Sequence, residues 1–328
     1  MLPEPDELLA TMQVVALPLR TRFRGITERE LALLRGPEGW TEFSPFLEYG
    51  DAEAASWLAA AIEFGWSAAP PALRERIPVN ATVPAVPAAA VAGVLSRFPG
   101  CRTAKVKVAA PDQTLADDID RVRAVRESLG DEARIRVDAN GLWSLDEAER
   151  AIHGLAGFDL EYVEQPCESI GELIELRARI RYLGIPIAAD ESVRRAEDPL
   201  MVARAGAADL LVIKAQPLGG ITRALAIAAE AGLPVVVSSA LESSVGLAMG
   251  VHLAASLPQL DYDCGLATAA LFTADVTTTP LLAVHGTLPV TRIEPDPALL
   301  ARHAASPDRR AWWADRLRRS HAILAGGL

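Results

Sequence analysis

The stretch RTAKVKVAAP, residues 102–111, has the pattern of a β-strand in which two lysines interrupt an apolar run. Lys105 and Lys107 are two positions apart, so on an extended chain both side chains point to the same face. A mostly hydrophobic strand that aims two ammonium groups in one direction indicates that its end faces a polar site. The surrounding sequence indicates what this site contains.

Short β-type runs recur on both sides of this stretch, and helix-like segments lie between them. Residues 144–157, for example, open with a capping box from Ser144 to Glu147 and close on Gly157. The predicted strands are PVNATV (78–83), TAKVKV (103–108), RIRVDA (134–139), LEYVEQ (160–165), PIAAD (186–190), DLLVIK (209–214), PVVVSS (234–239) and QLDYDC (259–264). Alternating strands and helices indicate parallel βα units, and eight strands indicate a closed barrel.

Polar residues stand near the ends of six of these strands, in phase with the repeat. They are Lys107, Asp138, Glu164, Asp190, Lys214 and Ser239, separated by 31, 26, 26, 24 and 25 residues. In a barrel of this kind the carboxyl ends of the strands converge on one mouth, where active sites are found. We therefore expect these side chains to share one pocket. An open doubly wound sheet is the less favoured alternative, because no G-x-G-x-x-G follows the first strand.

The two ends of the chain differ from the repeating middle. VVALPLR (14–20), ERELALLRG (28–36) and GWTEFSPF (39–46) predict a short antiparallel sheet, and a helix follows over 51–64. The last segment contains a strand-like LPVTRI (288–293) and a helix near 307–324. We predict an α/β fold, a modified TIM barrel of the (β/α)7β type over residues 78–282. An α+β capping domain would be formed by residues 1–77 and 283–328.

Composition narrows the classes of partner. The chain has 328 residues and a net charge of −11, which argues against nucleic acid or an anionic membrane as the main partner. No apolar stretch is long enough to span a bilayer, and the start MLPEPDELL lacks a signal-peptide pattern. The three cysteines form no disulfide framework or metal-type cluster, as expected of reduced thiols in a cytosol. We expect a soluble cytoplasmic protein; the sequence leaves its oligomeric state open, a monomer included.

Three acids at neighbouring strand ends indicate a metal site. Asp138, Glu164 and Asp190 would repel one another strongly in a semi-buried pocket without a cation. Ligation by oxygen alone favours Mg²⁺, with Mn²⁺ as a substitute, over zinc or copper. The histidines, which a zinc site would use, lie away from the predicted strand ends, at positions 153, 252, 285, 303 and 321.

Lys107 and Lys214 would flank this cation from opposite sides. Burial and like charge lower the pKa of a lysine, so one of the two can be neutral and act as a base. A substrate carboxylate held by the metal next to a lysine base defines a class of reaction, the removal of a proton α to a carboxylate. The metal stabilises the charge that this step creates.

Five motifs, in this order, make the chain similar to the enolase superfamily and to its muconate-lactonizing subgroup. They are K-V-K (105–107), D-A-N (138–140), E-Q-P (164–166), D-E-S (190–192) and the lysine of KAQPLGG (214–220). A lysine base combined with Mg²⁺ is the known arrangement in that superfamily. Within the subgroup, GWTEFSPF, NATVPAV and SSALESSVGLAMG resemble the o-succinylbenzoate synthase family. The resemblance covers essentially the whole chain.

This resemblance implies a lyase of menaquinone biosynthesis that acts on a small dianionic carboxylate. The implied reaction is the syn dehydration of 2-succinyl-6-hydroxy-2,4-cyclohexadiene-1-carboxylate to o-succinylbenzoate. By position, Asp138, Glu164 and Asp190 would bind Mg²⁺. Lys107 would remove the α proton and return it to the departing hydroxyl, while Lys214 would stabilise the anion from the opposite face.

The candidate substrate-binding residues are Lys105, Asn140, Gly219, Ser238 and Ser239. By resemblance, Lys105 would be an auxiliary lysine that keeps Lys107 neutral and touches the substrate carboxylate. Ser238 and Ser239 would present hydroxyls and backbone amides to the succinyl carboxylate, although a helix N-cap with small packing residues accounts for the segment equally well. Gly219 would let the backbone approach either the substrate or an adjoining helix. A basic loop with Arg20, Arg22 and Arg24 is either a lid over the dianion or a solvated surface loop.

Two other kinds of function remain open at this point. One is an isomerase on the same scaffold: an N-succinylamino acid racemase, a dipeptide epimerase or a muconate cycloisomerase. Dipeptide epimerases of the subgroup usually carry Asp-x-Asp on the last strand, but Asp261 and Asp263 lie upstream of that position, which argues against an epimerase. The other is a non-catalytic binding barrel, which the complete set of lysines and acids disfavours.

Overall fold

The computed structural model describes residues 2–23, 25–194 and 198–327, so Arg24 of the basic loop lies outside the described residues. The strands of the described part are β1 (Gln13–Phe23), β2 (Ile26–Gly36), β3 (Gly39–Phe43), β4 (Arg76–Pro78), β5 (Ala81–Val83), β6 (Thr103–Lys107), β7 (Arg134–Asp138), β8 (Leu160–Glu164), β9 (Ile187–Ala189), β10 (Leu210–Ile213), β11 (Val235–Val237) and β12 (Thr287–Pro289). Its α-helices are α1 (Pro5–Thr11), α2 (Asp51–Trp66), α3 (Val91–Leu95), α4 (Leu115–Leu129), α5 (Leu145–Leu155), α6 (Ile170–Ile180), α7 (Glu191–Arg194), α8 (Met201–Arg204), α9 (Ile221–Ala231), α10 (Ser244–Ser256), α11 (Pro297–Arg302) and α12 (Pro307–Ala325).

The capping domain is built from both ends of the chain, as predicted. Strands β1, β2 and β3 form an antiparallel sheet, and the C-terminal helix α12 packs against α2 and β1. Trp313 of α12 is fully buried, and its indole Nε1 donates to Glu30 Oε2 at 2.9 Å. Its ring meets Phe43 edge-on, with 5.7 Å between ring centroids. A buried aromatic ring therefore fixes the C-terminal segment to the N-terminal sheet.

The barrel consists of strands β5 to β11, which are parallel and lie side by side in the order of the sequence. The strands are buried on both faces, which explains their Val-, Ile- and Leu-rich composition. Three of the following helices begin with capping boxes, at Thr114, Ser144 and Ser169. These boxes satisfy the free N–H groups of the first turn and set where each helix starts. The predicted modified TIM barrel is confirmed.

The eighth predicted strand is wrong in form, although its position is right. Residues 259–264 have no regular strand in the described structure; instead, Cys264 and Gly265 form single parallel bridges to Val79 and Ser238. These two bridges link β11 back to the start of the barrel. The polar groups of Asp263 are used differently: its carboxylate accepts from Thr103 Oγ1 at 2.5 Å, and its carbonyl accepts from Arg136 Nη1 at 2.6 Å. Side-chain hydrogen bonds thus supplement the few backbone hydrogen bonds that Cys264 and Gly265 make to the neighbouring strands.

The first predicted barrel strand, residues 78–83, is divided in two. β4 ends at Pro78 and pairs with β12, whereas β5 begins at Ala81 and pairs with β6. The break arises because the backbone N–H of Val79 donates to Gly286 O at 2.9 Å and that of Asn80 to Cys264 O at 3.0 Å. The strand predicted within LPVTRI is accordingly shorter than expected and pairs with β4 at the start of the barrel, not with the capping sheet.

The register of the barrel brings the predicted site residues to one level. Lys107 is opposite Asp138, and Asp138 is opposite Glu164, across adjacent strands. Since side chains alternate along each strand, these three point to the same face of the sheet. As for membranes, no helix among the described ranges is long and apolar enough to cross one.

Candidate active site

Lys107 ends β6 and is held by two oxygens from the end of β7. Its Nζ donates to Asp138 Oδ2 at 2.5 Å and to Asn140 Oδ1 at 2.8 Å. Asn140 adopts a left-handed backbone conformation, with φ of +50°, a region that Asn tolerates better than most residues. The D-A-N motif therefore positions the ammonium of Lys107 through a carboxylate and an amide two residues apart.

Lys105 lies one pleat below Lys107 and pairs with the next acid around the barrel. Its Nζ donates to Glu164 Oε1 at 2.9 Å and to Glu164 Oε2 at 3.1 Å, and it lies 3.5 Å from Asp138 Oδ2. Glu164 is completely buried. Lys105 therefore bridges two of the three predicted metal ligands.

Asp190, the third acid, is paired with two cations. Lys214 Nζ donates to Asp190 Oδ2 at 2.5 Å, and Arg194 Nε donates to Asp190 Oδ1 at 3.1 Å. Arg194 also binds Glu191 Oε1 at 2.6 Å and the hydroxyl of Tyr49 in the capping domain at 2.8 Å. Sequence reasoning did not find Arg194, although its position one helical turn after Asp190 was a usable signal.

The three acids form an oxygen-only donor set that suits a hard divalent cation. In the described part of the chain no three His, Cys, Asp or Glu side chains already surround a common point, because each of these carboxylates contacts a lysine ammonium. The acids are nevertheless close enough to interact: burial, together with the charge of Asp138, raises the pKa of Glu164 to about 7. A cation that shares these oxygens would remove this repulsion, so the residues fit Mg²⁺.

The other two acids remain ionised in this environment. Burial alone would raise the pKa of Asp138. The ammonium groups of Lys107 and Lys105 outweigh burial and hold this pKa far below its usual range. Burial also raises the pKa of Asp190, but the charges of Lys214 and Arg194 outweigh it and lower this pKa to about 2. Both carboxylates are therefore available as anionic ligands at neutral pH.

The three lysines differ in how the site shifts their pKa values. Burial lowers the pKa of Lys107, and the charge of Lys105 adds to this effect. Burial also lowers the pKa of Lys214, helped by Arg194. For Lys105, burial is outweighed by the carboxylates of Glu164 and Asp138, which raise its pKa. These directions are the ones that a base at Lys107 or Lys214 and a charged lysine at Lys105 would need; the roles themselves stay predictions.

One cavity at the carboxyl end of the barrel joins these residues to the capping domain. Its walls are formed by Phe23, Thr82, Lys105, Lys107, Asp138, Asn140, Lys214, Ser238, Ser239, Ala240, Leu241, Gly265 and Thr268. Lys107 and Lys214 thus face a common space, whereas Glu164 and Asp190 are buried behind its surface. Ser239 Oγ is 2.8 Å from Thr268 Oγ1, which places two hydroxyls side by side on the wall.

Gly219 does not line this cavity. A Cβ there would lie 3.4 Å from the Arg223 side chain and 3.8 Å from Ser56 O of the capping domain. Its φ of +88° belongs to the turn that leads into α9. Of the two roles considered for its backbone, approach to an adjoining helix fits this position, and contact with the substrate does not.

Phe23 is the functional candidate that sequence reasoning missed most clearly. It belongs to the hairpin of the capping sheet, and Lys107 Nζ lies 5.5 Å from the centroid of its ring. A cation–π contact of this kind joins the cap to the predicted base. The usable signal in the sequence was an aromatic residue among the arginines of LRTRFRG, a loop for which only the arginines were considered as substrate contacts.

Two family models match the chain, in the order that the fold requires. Residues 14–65 match the model described as enolase N-terminal domain-like, and residues 88–295 match the model described as enolase C-terminal domain-like. The second match covers more than half of the chain and includes all three acids and all three lysines of the site.

Curated relatives match over nearly the whole chain. The o-succinylbenzoate synthase of Mycobacterium ulcerans (strain Agy99) is 56% identical over 328 residues, covering 99% of this chain and 98% of the relative. The o-succinylbenzoate synthase of Mycobacterium tuberculosis (strain ATCC 25618 / H37Rv) is 56% identical over 324 residues, covering 98% of this chain and 97% of the relative.

Solved structures show the same fold at lower identity. A muconate lactonizing enzyme from Pseudomonas fluorescens, complexed with muconolactone, aligns with a TM-score of 0.76 and 24% identity over 90% of this chain and 98% of its own. A 2-chloromuconate cycloisomerase from Rhodococcus opacus 1CP aligns with a TM-score of 0.75 and 26% identity over the same shares. Taken with the closer curated relatives and the site geometry, these matches show that the chain belongs to the o-succinylbenzoate synthase family, a lyase family of the enolase superfamily.

Proposed function

We propose that this protein catalyses the Mg²⁺-dependent syn dehydration of 2-succinyl-6-hydroxy-2,4-cyclohexadiene-1-carboxylate to o-succinylbenzoate. The observation that carries the proposal is that Lys107 and Lys214 line one cavity with Asp138, and that burial lowers both lysine pKa values. The activity named for the relatives at 56% identity supports the same reaction. Isomerase activities are not favoured, since those relatives are synthases.

Lys107 is the proposed general base. Its lowered pKa favours the neutral amine, which accepts the proton from the ring carbon α to the carboxylate. The electron pair left on the ring expels the hydroxyl from the neighbouring carbon. The resulting Lys107 ammonium returns its proton to this hydroxyl, so water leaves and the amine is regenerated. One residue serves both steps because both groups leave from the same face of the ring.

Lys214 and Lys105 are the proposed stabilising cations. Lys214 faces the cavity and, as an ammonium, offsets the negative charge that develops during proton removal. Lys105 keeps its proton, because Glu164 and Asp138 raise its pKa, and its charge favours the neutral form of Lys107. The pKa shifts of Lys105 and Lys107 have opposite sign, as a charged auxiliary lysine and a neutral base require.

Asp138, Glu164 and Asp190 are the proposed metal ligands. When bound there, Mg²⁺ would supply Lewis-acid stabilisation for negative charge on the substrate carboxylate. Lys105 and Lys107 hold Asp138 and Glu164 within one layer of the barrel. Mn²⁺ is the proposed substitute.

The proposed substrate is a small dianionic carboxylate, and the proposed setting is menaquinone biosynthesis in the cytoplasm. The hydroxyls of Ser238 and Ser239 lie on the cavity wall, where they suit the succinyl carboxylate. Formation of an aromatic ring drives the elimination, so the protein has to supply only proton transfer and charge stabilisation. Neither a nucleic acid nor a membrane is proposed as a partner, and a monomer suffices for this site.

The test is a direct assay of the purified protein. With Mg²⁺ and the cyclohexadiene substrate, we expect the absorbance change of aromatisation, loss of this signal on chelation, and its recovery on renewed addition of Mg²⁺. Absence of turnover with Mg²⁺ present, or turnover unaffected by a chelator, contradicts the proposal. Loss of optical rotation of N-succinyl amino acids serves as the parallel assay for a racemase.

A further inference from the structure

Two buried ionisable residues of the capping domain hold a segment of the barrel that lines the cavity. Residues 238–241, called here the cavity wall, contribute four consecutive positions to the cavity lining. The first half is fixed by the barrel: Ser238 N donates to Ile213 O at 2.9 Å, and Ser239 N donates to Gly265 O at 3.0 Å. In the second half, Ala240 N donates to Glu242 Oε2 at 2.6 Å, and Arg29 and Glu42 of the capping sheet bind Leu241 and Ser243.

Arg29 binds the end of the wall directly. Its Nε donates to Leu241 O at 3.2 Å, its Nη2 donates to Ser44 O, and its guanidinium lies 4.1 Å above the ring of Phe46. Only 2% of this residue is exposed. A buried cation is costly unless its donors are used, so these contacts specify where Leu241 lies.

Glu42 binds the residue at which the following helix begins. Its Oε2 accepts from the backbone N of Ser243 at 3.0 Å and from Ser243 Oγ at 2.5 Å, while Oε1 accepts from Ser44 Oγ at 2.6 Å. Glu42 is fully buried. Gly246 makes room for this carboxylate, because a Cβ there would lie 2.7 Å from Glu42 Oε1. The capping domain thus supplies a carboxylate to the N-terminus of α10, where negative charge is favourable.

The backbone between these two attachment points is strained. Leu241 has φ of +64°, a left-handed conformation that a leucine adopts rarely. Such a conformation persists only where the surroundings enforce it, and it is found often at ligand clamps. The contacts that enforce it at Leu241 include the hydrogen bond from Arg29 to the carbonyl of Leu241 and the hydrogen bond from the backbone N of Ser243, two residues later, to Glu42.

We propose that Arg29 and Glu42 are positioning residues that hold the cavity wall in the shape the substrate requires. The capping domain therefore shapes the site from behind the wall, in addition to covering the cavity with Phe23. The wall carries no part of the proton-transfer machinery, so these residues act on substrate binding more than on the chemical step. The kinetic part of this inference rests on the proposed function.

The test compares Glu42→Ala with Glu42→Gln and with a matched control, Glu63→Ala. Glu63 is also a glutamate of the capping domain that caps a barrel helix, accepting from Ile221 N at 2.5 Å and Thr222 N at 3.0 Å. It caps α9, which begins after Gly219 and Gly220, away from the cavity lining. The control therefore removes the same kind of contact without touching the wall.

We expect Glu42→Ala to raise KM about tenfold while kcat changes by less than about threefold, as loss of a buried hydrogen-bond acceptor predicts. Glu42→Gln keeps an acceptor oxygen and should stay within about twofold of the wild-type KM. Glu63→Ala should lower Tm without changing KM. An unchanged KM in Glu42→Ala, or an equal rise in Glu63→Ala, overturns the proposal.

Hydrogen exchange of the wall gives a second readout that needs no substrate. Glu42→Ala should speed amide exchange in residues 239–243 but not in β7, and Glu63→Ala should leave residues 239–243 unchanged. If Glu42→Ala does not fold, Ser243→Ala removes the 2.5 Å hydroxyl contact to Glu42, together with the N-cap bond from Val245 N at 3.3 Å, but keeps the backbone contact of Ser243 N to Glu42. It should speed exchange in the same segment. Unchanged exchange in residues 239–243 contradicts the proposal even if the protein turns over a different substrate.

Discussion

At the scale of single residues, the use of lysine in this chain is unusually selective. The sequence contains three lysines, at positions 105, 107 and 214, and all three line the cavity. Arginine supplies the remaining long cationic side chains. An arginine does not lose its proton in a protein, whereas a buried lysine can. The long basic side chains that can lose a proton are thus concentrated in the site.

Replacement of Lys107 tests its role as the base. We expect Lys107→Ala to reduce kcat by at least about 10³-fold, the order that a general base contributes, with a circular dichroism spectrum and Tm close to those of the wild type. Lys107→Arg separates basicity from charge, since it keeps the positive charge but cannot act as a base. Retention of a tenth of the rate in either variant would exclude Lys107 as the base.

Glu42 predicts a pH dependence of stability that is independent of the metal site. Burial, reinforced by the charge of Glu242, raises the pKa of Glu42 to about 7 from a usual value of 4.5. The folded state then binds more protons than the unfolded state between these two pKa values, so stability falls as pH rises through this window.

The measurement is the free energy of unfolding in urea for the wild type and for Glu42→Gln. We expect the wild type to lose on the order of 2 kcal/mol relative to the variant between about pH 5 and about pH 8. The neutral glutamine has no proton to release, so the Glu42→Gln variant is the control for the wild type. A difference between the two proteins that is constant with pH would show that Glu42 does not titrate in this range.

The site residues that the sequence revealed are those set by a strand end and a repeat. Lys107, Asp138 and Glu164 follow from strand phase alone, because parallel strands bring their carboxyl ends together. Phe23, Arg29 and Glu42 could not be found in this way, since they belong to the capping domain. Phe23 lines the cavity, whereas Arg29 and Glu42 contact the backbone behind it. Their burial depends on how the capping sheet docks, which no local pattern encodes.

At the scale of elements, the inner face of the barrel contains a charged layer below the site. Arg136 of β7 is fully buried, binds Glu161 Oε2 at 2.5 Å and Asn80 Oδ1 at 3.2 Å, and lies 4.8 Å from the ring centroid of Tyr162. It also binds the carbonyl of Asp263, where the barrel closes without a regular strand. One arginine therefore connects adjacent strands to the closing segment.

Arg136→Met should destabilise the barrel strongly. Its loss leaves the buried Asn80 Oδ1 and the carbonyl of Asp263 without this donor, and leaves Glu161 with only Arg134 Nη1, at 3.4 Å. Removing one partner of a fully buried pair costs about 3–5 kcal/mol, and this is the upper end of the loss we expect. Unfolding in urea measures the loss, and the double variant Arg136→Met/Glu161→Gln should recover part of it, because the carboxylate that lost its shorter ion pair is also removed. A loss below about 1 kcal/mol, without recovery in the double variant, would contradict this role.

The errors in element prediction have a common physical cause. The segment 259–264 and the strand 78–83 both alternate like strands, yet in each the chain changes hydrogen-bonding partner within a few residues. Apolar periodicity reports which face is buried, not which backbone accepts each N–H. A strand that pairs with one neighbouring strand on each side along its whole length, such as β7, was predicted with nearly the correct first and last residues.

At the scale of the whole molecule, the two ends of the chain meet over the mouth of the barrel. Arg309 of α12 binds Glu30 of β2 at 2.8 Å, and the bridge between Val15 and Ala304 joins the C-terminal segment to the capping sheet. The cap in turn reaches the cavity through Phe23 and holds its wall through Arg29 and Glu42. The barrel supplies acids and lysines, and the cap supplies the shape around them.

The proposed site places one divalent cation on Asp138, Glu164 and Asp190, with Lys107 and Lys214 beside it. The most direct measurement is an NMR titration of protein labelled with ¹³C at the lysine Cε atoms, which yields three signals because the chain has three lysines. A paramagnetic Mn²⁺ ion broadens the signals of nearby nuclei, so one equivalent should broaden all three, and Asp190→Asn should demand more Mn²⁺ for the same effect. A signal of Lys107 or Lys214 that stays sharp at saturating Mn²⁺ would contradict this arrangement of cation and lysines.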